Sequence, residues 1–371
     1  VVLWITMVSM AKQPPEVEWG KTFGGTSYDR GYWVEQTRDG GYVVAGYTES
    51  FGHGGSDVYL IKTDPVGNIV WERTFGGPNS DRASCVRQTS DGGYIVAGST
   101  SSFGDGHGDI YLLKIDVFGN TVWERAIGGR GTDVAYSVLQ TADGGYIIVG
   151  LTYSFGAGGS DLYLIKTCAQ GQVEWEKTYG TSREDDGRSI AQALDGAYVI
   201  AGTKGRTPYV GGGDVWLLKI DSQGNVIWDK TFDVGDNEIG WSVKQTTDGG
   251  YIVLGGTGYY GTILLIKTDS QGVVQWQKLF SGITQDGATV TQTRDGGYLI
   301  GAHTGGGDVY LLKVDVNGAI VWERTFGGTE WDSGHCAQET ADGGYIVVAV
   351  SYTHLRAHET RHDLVCRLLL E

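Results

Sequence analysis

The sequence predicts an all-β fold: a seven-bladed β-propeller of four-stranded antiparallel blades, the last blade closed by the N-terminal strand and lacking one strand. Three observations carry this. A stretch typified by Asp57–Gly77, DVYLIKTDPVGNIVWERTFGG, recurs along the chain. Its tryptophan returns at Trp19, Trp71, Trp123, Trp175, Trp228, Trp276 and Trp322, and a D-G-G-Y turn returns at Asp39, Asp91, Asp143, Asp195 (as DGAY), Asp248, Asp295 and Asp342. The spacing is 52 residues at first, then 53, and about 47 in the last two units, a period that belongs to propellers and arrays.

Within the repeat, Val58–Thr63 is rich in β-branched and aromatic residues and apolar on both faces, which suits a strand covered on both sides. Asp64–Asn68 is a turn in which Gly67 and Asn68 tolerate positive φ. Ile69–Phe75 returns as a strand that is more polar on its Val70, Glu72, Thr74 face. Upstream, Gly31–Thr37 and Tyr42–Thr48 flank the Asp39-Gly40-Gly41 turn. Each unit therefore reads as strands A, B, C and D in a meander, the size of one blade.

Counting the units predicts the closure. Glu16–Phe23 is a lone D strand, six full units follow, and Gly334–Thr340 with Tyr345–Val350 form a terminal A–B pair. The orphan D strand would complete the blade that the terminal pair begins, closing a ring without long exposed edges. The propeller spans 16–350. Residues 1–15 read as a signal-peptide remnant or a disordered leader, because the apolar run Val1–Met10 is too short to span a bilayer. The tail Ser351–Glu371 has no glycine and no repeat register. It is similar to a translated sequencing adapter and is set outside the fold, so the spacing of His354, His358 and His362 is not taken as a metal site.

The composition excludes several classes. The 371 residues include 62 glycines without a G-X-Y period, which points to tight turns. A net charge of −16 argues against nucleic acid or an anionic membrane surface as partner. Cys85, Cys168, Cys336 and Cys366 lack metal-ligand spacing.

At W-E-R-T-F-G-G and D-G-G-Y-[IV]-V-A-G the chain resembles a group of exported bacterial and archaeal repeat proteins. The layout also resembles PQQ-like and kelch-like propellers. That resemblance implies that the D-strand tryptophans dock neighbouring blades. It also implies an extracellular, periplasmic or cell-surface location.

The D–A and B–C loops, which share one face, are long, glycine-rich and variable, so that face is the expected binding face. Its repeated carboxylates, Asp29, Asp81, Asp133, Asp185, Glu238 and Asp332, are expected to bond their own loops rather than hold a metal. Calcium is the one cofactor left open. The S-F-G-x-G stretches at Phe51, Phe103 and Phe155 lack the G-K-[ST] of a phosphate loop. Residues that the repeat does not explain are better ligand-binding candidates. One strand-A position carries Tyr32, Ser84, Tyr136, Arg188, Trp241, Ala288 and His335 in turn. Arg206 and Tyr209 within KGRTPYV, and Tyr259 with Tyr260, break the symmetry of the same face. No catalytic constellation is present. The expectation is a monomeric, non-catalytic propeller that engages a protein or glycan. The alternatives are a propeller enzyme, such as a quinoprotein-like dehydrogenase or a glycan lyase, and a purely structural surface array.

Overall fold

The computed structural model describes residues 14–105, 107–207, 212–235, 237–257, 261–327, 331–351 and 362–368. Every regular element among them is a strand. β1 is Val17–Phe23. The first four-strand set is β2 (Asp29–Gln36), β3 (Tyr42–Thr48), β4 (Asp57–Thr63) and β5 (Ile69–Phe75). The second is β6 (Asp81–Gln88), β7 (Tyr94–Thr100), β8 (Asp109–Ile115) and β9 (Thr121–Ile127). The third is β10 (Asp133–Gln140), β11 (Tyr146–Thr152), β12 (Asp161–Thr167) and β13 (Val173–Tyr179). The fourth is β14 (Glu184–Gln192), β15 (Tyr198–Arg206), β16 (Asp214–Ile220) and β17 (Val226–Phe232). The fifth is β18 (Glu238–Gln245), β19 (Tyr251–Thr257), β20 (Thr262–Thr268) and β21 (Val274–Ser281). The sixth is β22 (Ile283–Gln292), β23 (Tyr298–Thr304), β24 (Val309–Val314) and β25 (Ile320–Phe326), followed by β26 (Asp332–Glu339), β27 (Tyr345–Ser351) and β28 (His362–Leu368).

Each set of four consecutive strands forms one antiparallel sheet, in chain order. These are the blades of a propeller. A further sheet draws on both chain ends in the order β1-β28-β27-β26. The terminal A and B strands and the orphan D strand thus share a sheet, as the spacing predicts. The expected missing strand is corrected: β28, from the tail set outside the fold, lies between β27 and β1, pairing Val347 with Cys366 and Lys21 with Val365. The physical reason is the slot itself. Two strand edges one strand apart leave two rows of backbone groups to be paired.

The strands divide between two compact units, Val1–Val86 with Ser281–Glu371, and Arg87–Phe280. In the first, Leu311, Trp322, Ala337 and Val347 form one core cluster, and Val34, Tyr59, Ile61, Cys336 and Val348 form another. In the second, Val149, Leu164, Ile200 and Leu218 pack together, as do Val199, Leu217, Val253 and Leu264. B and C strands are buried along nearly their whole length, whereas D strands are half-exposed.

The repeated polar residues are consumed by the repeat. The lysine near the end of strand C is buried in six blades, and its ammonium meets the D-G-G-Y aspartate. The pairs are Lys62–Asp39 (2.9 Å), Lys114–Asp91 (3.0 Å), Lys166–Asp143 (2.9 Å), Lys219–Asp195 (2.6 Å), Lys267–Asp248 (2.8 Å) and Lys313–Asp295 (2.8 Å). The same aspartate takes a hydroxyl from the threonine two residues earlier and an amide from the second glycine, for example from Thr141 (2.5 Å) and Gly145 (2.9 Å) to Asp143. Three donors hold Asp143 well below the usual carboxylate range, at about 2: the Thr141 hydroxyl first, then Lys166 and the Gly145 amide. The tyrosine of D-x-Y donates to the glutamate after the D-strand tryptophan, as in Tyr59–Glu72 and Tyr163–Glu176, both 2.5 Å.

The tryptophans join blades within each unit, as the resemblance implies. Trp19 packs edge-on against Tyr42 (5.9 Å between ring centroids), Trp123 against Tyr146 (5.8 Å) and Trp228 against Tyr251 (5.9 Å). The same indoles cover the C–D turn of the next blade. Gly67 has φ +78°, and a Cβ there would stand 2.7 Å from the Trp19 ring, so both the conformation and the contact require glycine.

Replacing Asp248 with Ala should lower the unfolding free energy by roughly 1–3 kcal/mol, because the buried Lys267 ammonium loses its counter-charge. The range sits below that for a fully buried pair because Asp248 is half-exposed. Urea denaturation measures this. Adding Lys267→Met in the same chain should recover at least half of the loss.

Candidate functional site

The meander puts A–B and C–D turns on one face of each sheet and B–C and D–A loops on the other. Strand A begins earlier than its pattern predicts. Asp29, expected in the D–A loop, is the first residue of β2, and its counterparts likewise open strand A. All are buried, and Asp29, Asp81, Asp133, Asp185 and Glu238 bond to their own loops. Asp29 accepts from the Gly25 amide and the Ser50 hydroxyl (both 2.8 Å), and Asp81 from the Gly77 amide (2.8 Å). Asp133 takes the Gly129 amide (2.8 Å) and the Ser154 hydroxyl (2.6 Å). Asp185 takes the amides of Thr181 (2.6 Å) and Gly205 (2.7 Å). Glu238 takes the Thr257 hydroxyl at 3.2 Å, and Asp332 is buried beside Gly327. The S-F-G stretches also fold onto their own blades, with Phe51, Phe103 and Phe155 packing on Tyr59, Tyr111 and Tyr163.

The unrepeated strand-A position coincides with a break in the ladder. The A–B register shifts between Gly31 and Trp33, Ala135 and Ser137, Gly187 and Ser189, Gly240 and Ser242, and Gly334 and Cys336. The residue left unpaired in these five strands is Tyr32, Tyr136, Arg188, Trp241 or His335. A bulge frees one residue from the ladder and re-aims its side chain. The sequence singles out this position by its variability; the bulge is the physical reason for it.

In the 87–280 unit the bulged residues of three successive blades meet. The Arg188 guanidinium lies 4.0 Å from the centroid of the Trp241 ring and 5.4 Å from that of Tyr136. Asp186 holds it from the side through Nε (3.0 Å) and Nη2 (2.9 Å). Burial first, eased by the Arg188 charge, pushes the Tyr136 phenol above its ordinary value. Arg206 and Tyr153 lie close enough to act electrostatically on the same phenol. Both also approach Glu184, Arg206 at 3.6 Å and the Tyr153 hydroxyl at 3.5 Å. First-choice and second-choice candidates thus fall in one neighbourhood. The Trp241 indole N–H is buried and has no hydrogen-bond partner among the described residues.

In the other unit, Tyr32 meets His335 edge-on at 5.1 Å and Tyr47 at 6.0 Å. His335 is buried, and its Nε2 has no hydrogen-bond partner among the described residues. Burial first, then the charges of His303 and Arg30, lowers its pKa to about 3. His303 in turn meets the Ser333 hydroxyl at 3.2 Å. The structure places these two clusters in separate units. Ala288 is buried and Ser84 half-buried. Tyr209, Tyr259 and Tyr260 lie outside the described residues.

Among the described residues of the 87–280 unit, two concavities bear on the choice of face. The larger, about 670 Å³, is on the A–B and C–D turn face, which the sequence presents as the less promising one, and includes Asp143, Lys166, Trp175 and Asp195. Those residues recur in every blade, so the repeat already accounts for them. The smaller, about 370 Å³, is on the loop face and is lined by Thr181, Arg183, Lys204, Gly212, Asp214 and Thr231. Lys204 there pairs with Asp229 at 2.6 Å.

No known protein-family profile matches the chain. The regulatory protein FlaEY of Caulobacter vibrioides is 28% identical over 177 residues, which is 41% of this chain and 18% of FlaEY. The chain thus spans under a fifth of that relative. Among solved structures, YCF48 bound to D1 peptide has a TM-score of 0.55 at 10% identity, covering 99% of this chain and 98% of its own. Puromycin hydrolase has a TM-score of 0.55 at 15% identity over 88% of this chain and 51% of its own. The WD40 domain of Neurospora crassa Pan2 has a TM-score of 0.56 at 7% identity over 91% and 89%. These likenesses establish the propeller fold. No helix among the described residues is long and apolar enough to cross a membrane.

His335 carries a pH signature. In the unfolded chain its pKa returns to about 6.5. Between that value and about 3 the unfolded chain binds a proton that the folded chain excludes, so the contribution to stability is lost as pH falls through this window. His335→Phe keeps a ring against Tyr32 but cannot titrate. Its stability relative to wild type, followed by urea melts, should improve steadily from pH 7 to pH 4.

Proposed function

We propose that the protein is a non-catalytic binding propeller that engages a protein or glycan partner on the face of its D–A and B–C loops. The observation that carries this reading is the stack of Tyr136, Arg188 and Trp241. Three adjacent blades release the same strand position from the ladder and fill it with residues the repeat does not require. Two aromatic rings around a guanidinium, with Arg206 and Tyr153 beside them, offer stacking surface and charge-assisted donors together. The fold likeness to YCF48 bound to D1 peptide supports a propeller used to bind a chain segment. In the same reading, the six consecutive sheets and the one shared by both chain ends make seven blades. The protein acts outside the cytoplasm; the fold likeness to the extracellular domain of BT4673 from B. thetaiotaomicron (TM-score 0.51, 12% identity, 93% of this chain and 43% of that one) supports this.

For the propeller-enzyme reading, burial holds the pKa of His335 down at about 3, which makes this side chain a poor general base near neutral pH. The purely structural reading leaves the variable bulged positions unexplained.

Peptide and glycan arrays probed with the full chain should yield a ligand. Trp241→Ala and Tyr136→Ala should each weaken its binding roughly tenfold or more, by loss of one aromatic stacking surface. Thermal melting and circular dichroism should show both variants folded. Unfolding of both would make these residues core, and full binding by two folded variants would move the site elsewhere.

A further inference from the structure

One strand end on the loop face gathers an extra carboxylate. After strands β5, β9, β13 and β25 the next residue, Gly76, Gly128, Gly180 or Gly327, is a glycine wedged between two carboxylates, whereas the fifth set has Ser281 in that register and opens β20 with Thr262. One carboxylate opens strand C of the same blade and the other opens strand A of the next. A Cβ on Gly128 would stand 2.3 Å from an oxygen of Asp109 and 2.5 Å from one of Asp133. For Gly180 the distances are 2.2 Å to Asp161 and 2.9 Å to Asp185, and for Gly327 they are 2.1 Å to Asp308 and 2.8 Å to Asp332. The paired carboxylates therefore close over a space that admits no side chain.

After strand β17 the corresponding residue is Asp233. A third carboxylate, itself exposed, enters where Gly76, Gly128, Gly180 and Gly327 leave no room for even a methyl group. The partner from strand C is Asp214, as usual. The partner from strand A is Glu238, one methylene longer than Asp29, Asp81, Asp133, Asp185 and Asp332 in the same register, which lets it reach around the added side chain. Asn237, immediately before it, has φ +69°, the one non-glycine residue in the left-handed region among the described residues. One oxygen from each of Asp214, Asp233 and Glu238 lies within 4.8 Å of the others.

Three like charges in this space are unfavourable without a counter-ion. None of the three forms an ion pair with a lysine, arginine or histidine among the described residues, and the nearby Lys204 is committed to Asp229. Burial first, then the neighbouring carboxylates, holds Glu238 and Asp214 above their ordinary values. Glu238 is fully buried. One of its oxygens takes the Thr257 hydroxyl, but the other has no partner among the described residues, although the carboxylate faces the cluster. An oxygen of Asp133 is left without a partner among the described residues in the same way, beside Gly128; what sets Glu238 apart is that its buried carboxylate converges with two others to within 4.8 Å, and that convergence marks a position for a cation.

We propose that Asp214, Asp233 and Glu238 form a binding site for a hard divalent cation of the calcium class, set between the fourth and fifth blades. Carboxylate oxygen is the ligand type such ions select. Oxygens on opposite sides of calcium stand about 4.6–5.2 Å apart, twice the bond length, so the observed spacing falls within one coordination shell. Magnesium, with bonds of about 2.0–2.1 Å, would require a tighter cluster. The ion would clip the end of strand β17 and the starts of β16 and β18 together. It would do for this boundary what loop amide and hydroxyl donors do for the others.

The test uses the full chain stripped with EDTA and titrated with calcium, magnesium or manganese chloride by calorimetry and thermal melting. Calcium should bind with one site per chain and raise the melting temperature by about 3–4 °C at a hundredfold excess over Kd. Asp233→Gly restores the residue found at Gly76, Gly128, Gly180 and Gly327, so it should fold, melt higher than the stripped wild type and lose the calcium response. Glu238→Gln, which keeps the shape, should lose the response as well. Failure of wild type to bind any of the three ions, or a calcium response that survives both substitutions, would overturn the proposal. In the first case the carboxylates share a proton instead.

Discussion

The constraint on which this structure depends is that its middle strands have no face to show to water. In the first six blades the B and C strands are buried along nearly their whole length, as in YIIVGLT and DLYLIKT of the third. A sheet of this kind cannot stand alone, because an isolated blade would expose two apolar faces. Each must be covered by its neighbours, and the coverage must repeat. The tryptophan of one blade therefore meets the tyrosine and the turn glycine of the next, the same joint being made three times at 5.8–5.9 Å between ring centroids. The buried lysine at the end of strand C follows from the same constraint. It is the one cationic side chain in a strand that is otherwise mostly apolar, and it is tolerated because the D-G-G-Y aspartate and the next backbone carbonyl meet its ammonium, as in Lys62 with Asp39 and Thr63.

This accounting separates scaffold from site. Once the lysine–aspartate pairs, tyrosine–glutamate bonds and loop carboxylates are assigned, most of the conserved-looking polar chemistry within the repeat has a structural role. What remains is carried by positions where one blade differs from the next. These are the bulged residue of strand A, the extended B–C segment of the fourth blade, and the aspartate that replaces glycine after β17. The first two meet around Arg188. Variation is confined there because those positions are the ones released from ladder pairing or from the inter-blade joint.

The legibility of the sequence follows the same division. Strands B, C and D of the first unit fall at Tyr42–Thr48, Asp57–Thr63 and Ile69–Phe75, the limits that their alternation and bounding turns indicate. Strand A is less legible: its opening residue is an aspartate, which reads as loop, and its bulge interrupts the period-two pattern on which a strand is recognised. The tail strand is illegible for another reason. His362–Leu368 carries no repeat signature, and its place comes from two unpaired edges rather than from its own pattern. The carboxylate triad had a signal, a glycine-to-aspartate change at a fixed register. It gains meaning only when the missing Cβ of Gly128 or Gly180 is seen to stand between two carboxylates.

A repeat fold places unusual demands on specificity. Because every blade solves the same packing problem in the same way, a functional residue can enter only where the solution is loose or where a local exception is compensated. The bulge is the loose point. It leaves one residue per blade outside the hydrogen-bond ladder, so Tyr136, Arg188 and Trp241 can differ without disturbing the strands that hold them. The Asp233 boundary is the exception. There the packing rule is broken by an added charge, the strand-opening aspartate is lengthened to glutamate, and the backbone turns through a left-handed asparagine. These three departures within six residues bring a third carboxylate into a joint that Gly76, Gly128, Gly180 and Gly327 close to any side chain, so the added charge has to be met locally.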